Sequence, residues 1–226
     1  MSKNIIITGT SSGIGLELAK FFIKSKHNVL AISRNNSDLR SLNLKCLYAV
    51  DFDITDYERY NSLNKYLNNF ENVDVLINNA GLLVNKPFED TSLEDFQKVY
   101  STNVFSVAML TKFLIKRMNN RSNVVNISSI GGVEGTLKFP GLAAYSSSKG
   151  ALNILTEMLA EEYKEQGIHF NSLALGSVQT KMLNKAFPGF KASTSAQDMA
   201  KYIYDFSMEG YKLINGKVIS ISSTTP

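Results

Sequence analysis

The sequence predicts a doubly wound α/β fold, a parallel sheet of seven strands with helices on both faces. Three observations predict it. Short apolar runs alternate with longer stretches of helical period. The runs are close to continuously apolar, as strands buried on both faces require. Repeated strand, helix, strand units imply right-handed crossovers and therefore parallel strands. In chain order, residues 5–7 form the first run, and the stretch after it places Ile14, Leu18, Phe21 and Phe22 on one helix face. Further strands are expected at 29–32, 47–50, 73–77, 124–127, 170–174 and 218–221. Two intervening helices have readable starts, Ser92 with Asp95 and Ser195 with Asp198. A serine hydroxyl and an acidic side chain at that offset satisfy the exposed N–H groups of a first turn. A long helix is expected from Tyr145 onward, running through Ala151, Leu155, Leu159 and Tyr163. No internal repeat, low-complexity tract or linker interrupts the pattern.

With 226 residues, 44% of them hydrophobic, the chain carries enough apolar material for one core, so residues 1–226 are expected to form a single domain. A fold of this length buries roughly 70% of the surface of its unfolded chain and needs neither disulfide nor metal. Cys46 is the only cysteine, and His27 and His169 have no companion at ligand spacing, so no metal site is expected. Lys and Arg exceed Asp and Glu by only four and are scattered, which argues against a nucleic-acid partner. No stretch approaches the ~18 apolar residues of a membrane span, and Met-Ser-Lys-Asn leads into the first strand without a signal-peptide pattern. A cytoplasmic, reducing-compartment protein with no membrane partner is therefore expected. The triplets Asn35-Asn36-Ser37 and Asn126-Ile127-Ser128 match a glycosylation pattern by chance in an Asn-rich chain.

Directly after the first strand comes Thr8-Gly9-Thr10-Ser11-Ser12-Gly13-Ile14-Gly15, and then the first helix. Glycine permits a tight turn and close approach of backbone to phosphate, while a helix N-terminus offers unpaired N–H groups and the positive end of its dipole. A pyrophosphate is expected here, with an ordinary Gly/Ser loop as the bland alternative. This Thr-Gly-x-x-x-Gly-Ile-Gly pattern resembles the cofactor loop of the short-chain dehydrogenase/reductase family, in its compact single-domain branch. Asn78-Asn79-Ala80-Gly81 after the fourth strand resembles the family's Asn-Asn-Ala-Gly element, and Asp53-Ile54-Thr55 the segment that touches adenine. The resemblance runs from the first strand to the sixth. It implies a nicotinamide cofactor bound by Gly9, Ser11, Ser12, Gly13, Ile14, Gly15, Asp53, Asn79, Ala80 and Gly81.

In a doubly wound dinucleotide site the end of the second strand chooses between NAD and NADP, because an acidic side chain there binds the ribose 2′-OH and repels a 2′-phosphate. The sequence reads Ala31-Ile32-Ser33-Arg34-Asn35, with no carboxylate, and Arg34 is a permanently charged planar donor suited to phosphate. NADP(H) is expected, with NAD(H) the alternative if Arg34 is only a solvated loop residue. Ser12 stands where some NADP-using relatives carry a second basic residue.

Tyr145 and Lys149 stand four apart and share a helix face. A phenol titrates near 10, so a tyrosine exchanging protons near neutrality needs its anion favoured by about three units, about 4 kcal/mol. An adjacent ammonium and a helix N-terminus both act that way. The family resemblance implies that Tyr145 protonates the carbonyl oxygen during reduction and that Ser129 positions that oxygen. It further implies that Lys149 binds the nicotinamide ribose and lowers the tyrosine pKa, and that Asn103, in the fourth helix, supports a water-linked proton relay. Ser128 instead of Ser129, and an Asn103 that only mends a helix kink, remain the alternatives. Two donors meeting a developing oxyanion form a coherent set.

Two departures from the family pattern stand out. The Ser129-to-Tyr145 interval is longer than usual, with Gly135-Thr136-Leu137-Lys138 as the extra material, and Leu175-Gly176 replaces the usual Pro-Gly. Gly176, Val178 and Thr180 still suit the family's nicotinamide contact. From Lys181 to Thr194 the resemblance places a substrate lid, whose Met182, Leu183, Phe187 and Phe190 either cover a substrate or pack onto the sheet. Lys181, Lys185 and Lys191 either welcome an acidic substrate or form a solvated fringe. The resulting expectation is an NADP(H)-dependent oxidoreductase acting on a small-molecule ketone or aldehyde and its alcohol, as a homodimer or homotetramer by resemblance. The rivals are a non-catalytic NADP-sensing protein on the same fold and an extended-branch nucleotide-sugar enzyme, for which the chain leaves little room.

Overall fold

The computed structural model describes residues 2–222, so Met1 and residues 223–226 of the expected 1–226 domain lie outside the described residues. The elements run β1 (Asn4–Thr8), α1 (Gly13–Lys24), β2 (Asn28–Ser33), α2 (Ser37–Arg40), β3 (Leu47–Asp51), α3 (Asn64–Leu67), β4 (Val75–Asn78), α4 (Leu93–Tyr100) and α5 (Ser106–Leu114). They continue with β5 (Asn123–Ser129), α6 (Ala143–Glu162), β6 (His169–Leu175), β7 (Val178–Gln179), α7 (Lys181–Ala186), β8 (Thr194–Ser195), α8 (Ala196–Met208) and β9 (Lys217–Ile221). Seven strands form one parallel sheet in the order β3-β2-β1-β4-β5-β6-β9. This is the doubly wound Rossmann arrangement, and its order reverses between β1 and β4, where such folds open a crevice at the strands' C-terminal ends.

The strand alternation explains both layers. Ile5, Ile7, Val29, Ala31, Val75 and Ile77 point to one face and pack with Leu18 and Phe22 of α1 and Ala200 and Ile203 of α8. Ile6, Leu30, Ile32, Leu76, Val124 and Phe170 point to the other, against Leu110 and Leu114 of α5. The expected helix starts are present: Ser92 Oγ accepts from the Asp95 N–H with the reciprocal bond back, and Ser195 Oγ accepts from the Asp198 N–H. A short parallel pair, β7 with β8, was not expected from the sequence.

Not all of the sheet is apolar. Asn78, Asn126 and Ser172 lie opposite one another on β4, β5 and β6, all essentially buried. Asn78 Nδ2 donates to Asn126 Oδ1 at 2.8 Å, Asn126 Nδ2 donates to Thr156 Oγ1 of α6 at 2.9 Å, and Ser172 Oγ donates to Asn153 Oδ1 of α6 at 2.7 Å. Asn36 is also buried, its Nδ2 donating to the carbonyls of Ala31 and Val50 while its Oδ1 accepts from Thr10. Of the two glycosylation-like triplets, Asn126-Ile127-Ser128 has its acceptor amide buried in the interior, whereas Asn35 is exposed and accepts from the Ser37 N–H.

Candidate active site

A cleft of ≈ 1220 Å³ opens at the C-terminal ends of the strands. Its floor begins at the β1 turn, where Thr8 Oγ1 accepts from the N–H groups of Asn79 (3.1 Å) and Ala80 (3.0 Å). Asn79 Nδ2 donates back to the carbonyls of Thr8 (2.9 Å) and Gly9 (3.1 Å), so the glycine loop and the end of β4 are stitched together. Gly15 is needed for that seam: a Cβ there would sit 2.5 Å from Asn79 Nδ2 and press on the Gly9 carbonyl. It does not line the cleft, whereas Gly9, Ser11, Ser12, Gly13, Ile14, Asn79, Ala80 and Gly81 do. No side chain caps α1 at Ser12, so its first amides are left for a ligand. An uncapped helix start beside a glycine at φ +58, Gly13, suits a pyrophosphate.

Toward the sheet edge, Arg34 follows β2, exposed and without an ion pair or hydrogen bond among the described residues. Asp53 folds back in a turn, its Oδ1 accepting from the N–H (2.9 Å) and hydroxyl (2.7 Å) of Thr55. Burial pushes the Asp53 carboxyl up, but these two bonds and the Arg34 charge outweigh it and hold the group below its ordinary range.

At the opposite end Ser129 terminates β5, its Oγ accepting from the Gly131 N–H, and lies against the Tyr145 phenol. Ser128 points away: it is buried and its Oγ donates to the Lys149 carbonyl. Gly132 brings the intervening loop onto α6, where a Cβ would lie 2.6 Å from the Lys149 carbonyl carbon. Lys149 is buried, its Nζ donating to the Ile127 carbonyl at 2.8 Å and standing 5.7 Å from the Tyr145 ring centre. Gly176, Val178 and Thr180 line the remaining wall. Leu175, in the proline's place, is not loose: it pairs with Ile221, and the Gly176 N–H donates to the Ile221 carbonyl. Thr180 Oγ1 accepts from the Leu183 N–H and so starts α7.

Residues 3–189 match the family model for short chain dehydrogenase. The chain belongs to the short chain dehydrogenase family. It is 34% identical to carbonyl reductase (NADPH) 2 of Sus scrofa over 179 residues, 78% of this chain and 72% of that protein. Its fold matches 4-hydroxyisoleucine dehydrogenase complexed with NADH at a TM-score of 0.86 and 27% identity, covering 98% of this chain and 97% of that one. ElxO with NADP bound matches at a TM-score of 0.85 and 32% identity, with the same coverage. This dehydrogenase is therefore an oxidoreductase of the nicotinamide-dependent type.

The protonation of the dehydrogenase's site departs from expectation. Burial pushes the Tyr145 phenol up to about 12, with Ser129 partly opposing, so the free protein holds it as a neutral acid. Burial pulls the Lys149 ammonium down to about 8. Asn103 does not line the cleft. It lies fully buried in a π-helical turn, Ser101–Phe105, that joins α4 to α5. Its Oδ1 accepts from the Leu82 N–H, and its Nδ2 donates to the Leu82 carbonyl and to Ser148 Oγ, so it pins the chain after β4 to α6. Thr8, Asn36 and Gly132 escaped the sequence reading because their partners are distant in sequence. Among the described residues no group of three or more His, Cys, Asp or Glu side chains could hold a metal, and no helix is long and apolar enough to cross a membrane.

Proposed function

We propose that this dehydrogenase is an NADP(H)-dependent reductase of a ketone or aldehyde, residues 1–226 forming one such domain. The convergence of Ser129 and Tyr145 at the cleft, with Lys149 one helical turn behind, carries the reading. Gly9, Ser11, Ser12, Gly13 and Ile14 hold the pyrophosphate, Asp53, Asn79, Ala80 and Gly81 the adenosine and ribose side, and Gly176, Val178 and Thr180 the amide end. When bound, the nicotinamide supplies or accepts the hydride. Ser129 Oγ orients the carbonyl oxygen, and Tyr145 gives it a proton in reduction. Lys149 binds the ribose hydroxyls through its ammonium, and Asn103 acts by positioning the β4 loop and α6.

Arg34 supports the NADP preference, because its guanidinium lines the cleft at the end of β2 and has no hydrogen bond or ion pair among the described residues. Arg34→Asp is expected to weaken NADPH binding at least about tenfold and to improve NADH binding, read by titrating nicotinamide fluorescence. Unchanged discrimination would make Arg34 a surface charge. Tight NADPH binding in the unaltered protein, with no turnover of any carbonyl, would favour a cofactor sensor.

The pH dependence follows from Lys149, not Tyr145. The phenol keeps its proton far above neutrality, so the acid for reduction is present throughout. The ammonium is fully charged only below about 8 in the free protein. NADPH affinity is therefore expected to fall as pH rises from about 7 through about 8. Lys149→Arg should remove the inflection, which a pH series of NADPH titrations reads directly.

The protein is proposed to be a cytoplasmic homodimer or homotetramer. Phe105 and Met109 near the start of α5, and Ile154 and Met158 on α6, form exposed apolar pairs one helical turn apart, and such surface suits association. Sedimentation equilibrium gives the stoichiometry.

A further inference from the structure

The cleft has two halves of opposite chemistry. Its charged lining residues gather where the dinucleotide is proposed to lie. Arg34 and Asp53 stand beyond β2 and β3, and Glu94 pairs with Lys98 at 2.6 Å on α4, ahead of Ser101, whose carbonyl meets the Tyr57 hydroxyl. Lys181 follows Thr180, whose methyl lies 3.4 Å from where a Cβ would stand on Gly13 of the phosphate loop. The Lys149 ammonium is tied to the floor through Ile127.

The other half is walled by the loop between β5 and α6 and roofed by α7 and the chain after it. It presents Leu83, Phe139, Leu142, Met182, Phe187 and Phe190. Phe139 and Phe187 meet edge to face with ring centres 6.2 Å apart, so wall and roof are one aromatic surface. Met182 reaches over the floor: a Cβ on Gly81 would be 4.0 Å from its Cε and 3.7 Å from Lys149 Nζ. Met182 and Phe190 nevertheless remain 41% and 50% exposed, apolar surface with nothing yet to cover it. Of the basic groups that could have welcomed an acid, Lys181 lines the cleft only at the first position of α7, next to Thr180 on the phosphate-loop side. Lys138 Nζ is spent on the carbonyls of Val133 and Thr136 and on Thr136 Oγ1, closing the longer loop on itself, and Lys185 and Lys191 do not line the cleft.

Resting on the function proposed above, we propose that the substrate is an uncharged, apolar ketone or aldehyde, carrying a hydrocarbon chain or ring beside the carbonyl, and not a sugar or a keto acid. The Ser129 and Tyr145 hydroxyls serve the single carbonyl oxygen. A carboxylate or a row of hydroxyls placed among these aromatic and aliphatic side chains would lose water without finding partners. Each added methylene instead gains a hydrophobic contact.

The test uses the full chain with NADPH and a series of 2-alkanones from four to ten carbons, beside a ketose and 2-oxo acids of matching length. The expected result is a kcat/KM rising about fourfold per methylene until the cleft is full, with the ketose and the acids at least about a hundredfold below the best ketone. Phe139→Ser should cost the longest ketone about tenfold and the shortest less than about twofold, with NADPH affinity unchanged. Faster turnover of the ketose or an acid overturns the apolar assignment while leaving the reductase reading intact. If no carbonyl turns over, binding decides: alkanones are titrated into the NADPH complex and read by cofactor fluorescence. Chain-length-dependent binding then sustains the apolar site while the reductase reading fails, and its absence overturns the apolar assignment.

Discussion

Tyr145→Phe is expected to lower the rate of carbonyl reduction by about a thousandfold while leaving NADPH affinity within about twofold. Phenylalanine keeps the ring, so the packing of α6 and the place of Lys149 beneath it are preserved, and only the proton donor is lost. General acids of this kind are worth about a hundred- to ten-thousandfold. The upper part of that range is expected because no other donor stands in Tyr145's place. Ser129 faces the same oxygen, yet its hydroxyl is a far weaker acid than a phenol, and Lys149 is turned away to the Ile127 carbonyl. Single-turnover measurements with saturating NADPH separate the chemical step from cofactor binding. A variant retaining more than about a tenth of the rate would place the proton source elsewhere.

Gly15→Ala carries the second large effect, on binding and stability together. The added methyl would press on the Gly9 carbonyl and stand 2.5 Å from Asn79 Nδ2, the two groups whose bond holds the glycine loop to β4. Backbone cannot yield there as a flexible side-chain tip could. The loop must shift, at about 2–3 kcal/mol of stability and at least about a hundredfold in NADPH affinity. Gly150→Ala is the matched contrast: its Cβ would meet only the Gly132 carbonyl at 3.5 Å, inside α6. There alanine is expected to stabilise by about 0.5–1 kcal/mol. Thermal unfolding of both variants, with fluorescence titration of the first, checks the pair.

The strands of the main sheet, the serine-capped helices and the glycine turn that lines the cleft were legible because each depends on neighbours in sequence. Apolar runs mark strands, Ser92 and Ser195 announce their helices three residues ahead, and the Gly9 to Ile14 turn is contiguous. What stayed hidden depends on partners from elsewhere in the chain. Gly15 read as a phosphate contact, but its space is set by Asn79, more than sixty residues on. Asn103 read as a helix residue, but its bonds reach Leu82 and Ser148 from a π-helical turn that periodicity does not reveal. The raised pKa of Tyr145 was likewise not readable, because burial is a property of the assembled cleft while the four-residue spacing to Lys149 suggested only a helpful charge. Asn36, the middle residue of a chance glycosylation triplet, is a buried tie between β2 and β3 whose partners lie elsewhere in the chain.

The row of Asn78, Asn126 and Ser172 has a bearing on how the chain finds its alignment. Hydrocarbon ribbons paired side by side tolerate slippage, since one valine fits nearly as well as the next. Here a one-residue slide of β5 would swing Asn126 to the opposite face, among Ile77 and Leu173, and strand its amide together with the groups it now satisfies. Each orphaned polar group would cost about 1–3 kcal/mol. The asparagines thus work as a lock with one accepted key. When it closes, the end of β4 that leads into Asn79 and the end of β5 that carries Ser129 two residues further on take their fixed offset, so proofreading of the sheet and alignment of the cleft floor are a single event.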